Sequence, residues 1–176
     1  VLTQDWHPAG HSSFASSHDG KEPFGTAEMN YGTQVLWPDH CVQGTEGAEF
    51  HRDLEVNEGE MILRKGTNKG IDSYSGFLEN DGRSQPHFGN GDALVDVFNS
   101  KINTIVLSGL AYDFCVAWHA LDARKLGYDV IVVKDATRAI AMPGAKTGEP
   151  DTETGMTIKM KEAGVKIINS DQLPQA

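Results

Sequence analysis

Apolar and polar positions alternate in blocks over the second half of the chain. Thr104-Ile105-Val106-Leu107, Val130-Ile131-Val132-Val133 and Val165-Lys166-Ile167-Ile168 are short, β-branched runs. The first two are almost unbroken in their apolarity, the pattern of strands covered on both faces in a parallel sheet. Glu60-Met61-Ile62-Leu63-Arg64 is a shorter fourth candidate. Between these runs the period changes to that of a helix. Val116, Ala117, Ala120, Leu121 and Ala123 share one face of a segment from Val116 to Lys125, with Gly127 as a stop signal. A second helix is expected from Asp92 to Asn99, with Leu94, Val95 and Phe98 inward, and a third from Thr152 to Ala163, closed by Gly164. Strands alternating with helices predict an α/β layered fold.

The first 55 residues differ. They hold five of the seven histidines, two of the three tryptophans and many Gly, Pro and Ser residues. Such a stretch reads as long loops that carry chemistry, and a second Gly- and Asn-rich loop is expected from Asn80 to Gly91. No internal repeat and no linker divides the 176 residues.

Charge narrows the partners. Fifteen Lys and Arg against 25 Asp and Glu leave a formal net charge of −10, the wrong sign for holding nucleic acid or anionic lipid. No apolar run approaches the roughly 18 residues of a membrane span. Two cysteines do not make a disulfide framework, so a reducing compartment, the cytoplasm, is the expected location.

Three constellations carry candidate chemistry. Asp5 and His7 stand two apart at the end of an extended opening segment, so both side chains project to one side. A carboxylate and an imidazole so placed can chelate a divalent ion, and His40, from Trp37-Pro38-Asp39-His40-Cys41, can supply a third ligand. His11 is a weaker candidate that could equally orient a bound water. Solvated loop histidines are the blander alternative, and His18 and His51 read as surface residues. The second constellation is Cys115, in the turn Gly109 to Val116 between an apolar strand and a helix. A thiol at a helix N-terminus is drawn toward the thiolate, and the backbone N–H groups of such a turn can hold an oxyanion. A buried structural thiol is the alternative there; Cys41 reads as packing. The third is Lys65, at the end of the Met61 run, which could stabilise a thiolate and a carboxylate.

Taken together, these segments resemble the nicotinamidase/pyrazinamidase branch of the isochorismatase-like cysteine hydrolases. The resemblance rests on Gln4-Asp5-Trp6-His7-Pro8, His11-Ser12-Ser13-Phe14, Trp37 to Thr45, Lys65-Gly66, Asp72 to Phe77 and the Gly109 to Val116 turn, in the family's order. It implies one isochorismatase-like domain over 1–176, with a three-layer architecture and helices on both faces of a mostly parallel central sheet. It also implies a metal ion, zinc first and iron or manganese as alternatives, held by Asp5, His7 and His40, with His11 as a further candidate. The implied substrate is nicotinamide, its ring nitrogen on the metal and Trp37 lining the pocket. Cys115 would attack the carboxamide carbon, the amide N–H groups of Ala111 and Cys115 would hold the oxyanion, and Lys65 would be the cationic member of the triad. Family members have a cis peptide before the residue that matches Ala111.

The family's catalytic aspartate lies on a strand before the metal block, and this sequence begins at that block. The expectation is that an N-terminal segment carrying it belongs to the protein, either as part of the same chain or as a separate associated piece. Without that strand, neighbouring strands present bare edges through which copies could associate. Two alternatives stay open: a related small-amide hydrolase, and a non-catalytic metal- or ligand-binding family member.

Overall fold

The computed structural model describes residues 1–98 and 101–173. Two compact units divide them, Val1–Val97 and Phe98–Ala176.

In the first unit, β1 (Leu2–Asp5) runs parallel to β4 (Ile62–Lys65), in a register that sets Gln4 opposite Arg64 and Asp5 opposite Lys65. The alternation of the strand turns Leu63 and Lys65 inward, whereas Ile62 and Arg64 stay exposed. A hairpin that the loop-like texture had concealed joins β2 (Thr26–Met29) to β3 (Gly32–Val35). Met29 pairs with Gly32, which leaves Asn30 and Tyr31 as a two-residue turn. Its strands are short, largely polar and half exposed, so no apolar run announces them. Single bridges, His7 to Val42 and Phe14 to Trp37, tie the remaining long loops down. Helix α1 covers only Leu94–Phe98, with Leu94 buried. The sequence expectation extended it from Asp92 to Asn99, but Asp92 and Ala93 are spent on a bridge and a turn at His87 and Phe88, and Asn99 lies outside the described residues.

In the second unit, β5 (Thr104–Leu110), β6 (Asp129–Arg138) and β7 (Lys166–Ile168) form a parallel sheet in that order. Helices α2 (Ala117–Lys125) and α3 (Thr152–Glu162) connect its strands. Helix α2 packs on β6 and on α3, which also reaches β7. Asp151 caps α3, its carboxylate accepting from the Thr154 N–H. The α/β class and the parallel pairing agree with the sequence pattern.

Coverage on both faces holds for β6, where Val130, Val132 and Val133 are buried, but not for β5. Val106 is 51% and Leu110 72% exposed, whereas Ile105 is buried. Among the described residues no helix is long and apolar enough to cross a membrane.

Candidate metal centre and nucleophile turn

The ladder between β1 and β4 builds the candidate metal centre. Its last pair, Asp5 and Lys65, brings the Lys65 Nζ into an ion pair with Asp5 Oδ1. Lys65 is only 3% exposed, and its ammonium also donates to the Ser73 carbonyl at 2.6 Å. Burial works to raise the Asp5 pKa, but the Lys65 charge, with help from the His7 and His40 imidazoles, holds it below the ordinary carboxylate value.

His7 follows two residues on and is buried. Its backbone N–H bonds the Cys41 carbonyl at 3.0 Å and its carbonyl accepts from the Gln43 N–H at 2.8 Å. This pairing brings the His40 loop alongside, with the His7 and His40 rings 4.9 Å apart. Each imidazole is oriented by a backbone carbonyl: His7 Nδ1 lies 3.0 Å from Gly66 O and His40 Nδ1 lies 2.8 Å from Pro38 O. A carbonyl only accepts, so both Nδ1 atoms carry a hydrogen, and Nε2 is the nitrogen each ring has left to offer a metal. Burial pushes the His7 pKa down to about 4, against the pull of Asp5 and Asp72, so its ring is neutral. One nitrogen from each imidazole and a carboxylate oxygen, all within 4.8 Å of one another, form a donor set for a divalent ion. Phe14, fully buried, forms the apolar floor, its ring 5.6 Å from His7 and 5.4 Å from His40.

His11 stacks beside His7 with ring centroids 4.4 Å apart, and its ligand atoms fall in a second buried group with His7 and Asp72. Both its nitrogens are engaged. Nε2 faces the carbonyls of Asn68 and Ile71 at 2.9 and 3.2 Å, and Nδ1 accepts from the Ser13 N–H at 3.2 Å. The ring is therefore the Nε2–H tautomer, with its lone pair already used.

Trp37 is buried, its backbone paired on both sides with the Ser13–Ala15 segment. Its indole N–H donates to the Tyr74 hydroxyl at 3.2 Å. His51 is exposed beside Asp53, as expected, whereas His18 is half-buried with Nε2 2.7 Å from Ser12 O.

Cys115 and Ala111 lie in the second unit. Cys115 does not open helix α2 directly: it sits in a π-helical turn, Tyr112–Val116, with α2 following at Ala117. The Ala111 carbonyl accepts from the N–H groups of Phe114 and Val116, at 3.1 and 3.0 Å, which closes the wider turn. Cys115 is half-buried, and the Leu110–Ala111 peptide is cis. Asp113 anchors this turn. It is buried and its carboxylate accepts from the N–H groups of Ile140 and Ala141, each at 2.9 Å, and from the Thr152 hydroxyl. Pattern reading did not single out Asp113 or Gly66. The only sequence signal was membership of the motif blocks.

The model of the isochorismatase domain matches residues 14–172. A nicotinamidase of Acinetobacter baylyi is 49% identical over 146 residues, covering 82% of this chain and 65% of that protein, so the match spans just under two thirds of the relative's length. A solved Acinetobacter baumanii nicotinamidase/pyrazinamidase superposes with a TM-score of 0.86 at 44% identity, over 99% of this chain and 78% of that one. A pyrazinamidase of Pyrococcus horikoshii, solved in complex with zinc, has a TM-score of 0.66 at 29% identity, over 95% and 73%.

Proposed function

The chain belongs to the isochorismatase domain family, and from that premise we propose that it is a metal-assisted cysteine amidohydrolase converting nicotinamide to nicotinate and ammonia. The observation that carries the proposal is the donor set of Asp5, His7 and His40, with Nε2 the nitrogen each imidazole has left to offer. The names of the similar proteins supply the substrate class, and the zinc of the Pyrococcus horikoshii relative makes zinc the first metal to test.

A divalent ion bound there would supply a Lewis-acidic point of attachment for a ring nitrogen. His7 and His40 would hold it through Nε2 and Asp5 through its carboxylate, which Lys65 balances. His11, its lone pair already used, braces the loop of Asn68 and Ile71. By its place in the motif, Cys115 is the nucleophile: Sγ bonds to the carboxamide carbon, the C–N bond breaks and ammonia leaves. Water then cleaves the thioester to release nicotinate and the thiol. The N–H groups of Ala111 and Cys115 hold the oxyanion, and Trp37 is the ring-binding wall. Lys65 is the cationic member of the triad. The family match runs unbroken from 14 to 172, which supports reading 1–176 as one isochorismatase domain. The acidic surface favours a small-molecule substrate over nucleic acid.

The test is ammonia release from nicotinamide by the full-length protein loaded with zinc, beside Cys115→Ala with its zinc content measured. Turnover in the first and silence with retained zinc in the second support the reading. No ammonia from the zinc-loaded parent protein sinks it. A parent that binds nicotinamide without turnover favours the binding-module alternative.

A further inference from the structure

The proposed reaction, on which this inference rests, needs a rigid flat surface for a planar ring beside the metal ligands. We propose that Gln34 is a positioning residue that fixes the Trp37 indole through Tyr74 and ties it to Asp72, the carboxylate next to His7 and His11.

Gln34 lies on β3 and is 2% exposed, although it is an uncharged polar side chain with every reason to stay in water. Its amide is held in one orientation by groups whose roles are fixed. Asp72 Oδ2, at 2.7 Å, and the Val35 carbonyl, at 2.8 Å, can only accept, so they face Nε2. Asn80 Nδ2, at 3.0 Å, can only donate, so it faces Oε1. The same Nε2 lies 2.9 Å from the Tyr74 hydroxyl oxygen, so its two hydrogens serve three acceptors and one of them is shared, and the Trp37 indole N–H reaches that oxygen at 3.2 Å. The phenol oxygen thus accepts from the Trp37 indole N–H and shares a Gln34 N–H with another acceptor, which sets it between the two side chains. The Trp37 ring then stands edge-on to Tyr74, with centroids 6.3 Å apart.

The other arm of the amide leads to the metal ligands. Asp72 is buried, takes the Ser73 N–H on Oδ1 at 2.8 Å, and belongs to the buried group with His7 and His11. One buried amide therefore spans the aromatic wall and the carboxylate beside the imidazoles. A change at Gln34 is transmitted to Trp37 through the Tyr74 hydroxyl.

The experiment compares the zinc-loaded full-length protein with Gln34→Leu, Tyr74→Phe and the double variant, using nicotinamide as substrate. The second readout is the NMR resonance of the Trp37 indole N–H, assigned by its loss in Trp37→Phe. Each single variant is expected to raise KM by about fivefold with kcat within about twofold, the pattern of lost ground-state orientation. The indole proton should shift and exchange faster with solvent. The double variant should be no worse than the more affected single one, because both lie on one path. An unmoved indole resonance, additive effects, or a loss confined to kcat overturns the proposal. If Gln34→Leu does not fold, Tyr74→Phe, which removes one hydroxyl, decides alone. If the parent protein releases no ammonia, the functional reading fails separately, and the indole resonance still decides the role of Gln34.

Discussion

The imidazole of His7 lies in the space that a side chain on Gly66 would fill: a Cβ there would sit 2.6 Å from His7 Nδ1. The carbonyl of the same glycine accepts that nitrogen's hydrogen at 3.0 Å, and its φ is +63°, in the left-handed region. Residue 66 thus forms both the seat and the hydrogen-bond partner of a metal-binding ring. Gly66→Ala is expected to displace His7, on top of about 1–2 kcal/mol for the left-handed backbone. Zinc stoichiometry and turnover should both fall. Gly70→Ala, whose Cβ would meet only Asn68 Oδ1 at 3.7 Å, is the control and should keep its zinc. A Gly66→Ala variant with full zinc content would contradict this account of the site.

The two thiols should separate in labelling. Burial pushes the Cys41 thiol above its ordinary pKa, and Asp5 pushes the same way, so it is a poor nucleophile at neutral pH. Iodoacetamide should label Cys115 first, read by peptide mass, and Cys115→Ala should leave only slow labelling at Cys41. Equal slow rates at both positions would remove Cys115 as nucleophile.

Glu79 predicts a pH-dependent stability. It is 7% exposed, and burial raises its pKa to about 7 from 4.5. Between those values the folded protein keeps a proton that the unfolded chain releases, so stability falls as pH rises from about 4.5 to about 7 and levels off above. The full swing from this one group is about 3 kcal/mol. Glu79→Gln should remove it and be more stable than the parent at pH 8 but not at pH 4.5, in urea unfolding at the two pH values. A difference between the two proteins that does not change with pH refutes the assignment.

Asp113 should be a stability residue with a catalytic consequence. Asp113→Ala strips the acceptor from the N–H groups of Ile140 and Ala141, both exposed residues, at a cost of about 1.5 kcal/mol for each hydrogen bond lost. The turn bearing Cys115 loses its tether to that loop, so kcat should fall while zinc content stays at the parent level. Unchanged melting temperature and kcat would show that the tether is dispensable.

How far the sequence reached these features depended on whether the cause was local. Asp5 and His7 were legible because strand geometry alone puts residues two apart on one side. The end of α3 was legible because Gly164 is a local stop signal, at φ +82°. The π-turn at Cys115 was not, since it is fixed by the Ala111 carbonyl bonding Val116 and by the distant Ile140–Ala141 loop, neither of which shows in hydrophobic periodicity. The β2–β3 hairpin was missed for the opposite reason: its strands bury too little to leave a period. The exposed face of β5 was misjudged because an apolar run reports the capacity to be covered and carries no information about what covers it. Gln34 reads as an ordinary surface amide until the hairpin folds it against Asp72 and Tyr74.

The four-rung ladder of β1 and β4 acts as a ruler for chemistry as well as a support. Asp5 meets Lys65 only because every rung before it, from Leu2 opposite Ile62 onward, is in step. A strand's side chains alternate in direction, so a slip of one residue would turn Lys65 outward and present Arg64 in its place, a longer and permanently charged fork in a slot shaped for an ammonium. Insertions and deletions should therefore be sorted by position and not by size. One residue added within Leu2–Gln4 or Ile62–Arg64 would misalign a metal ligand and its counter-charge together, whereas several added to the exposed stretch at 52–59 would leave the pair untouched.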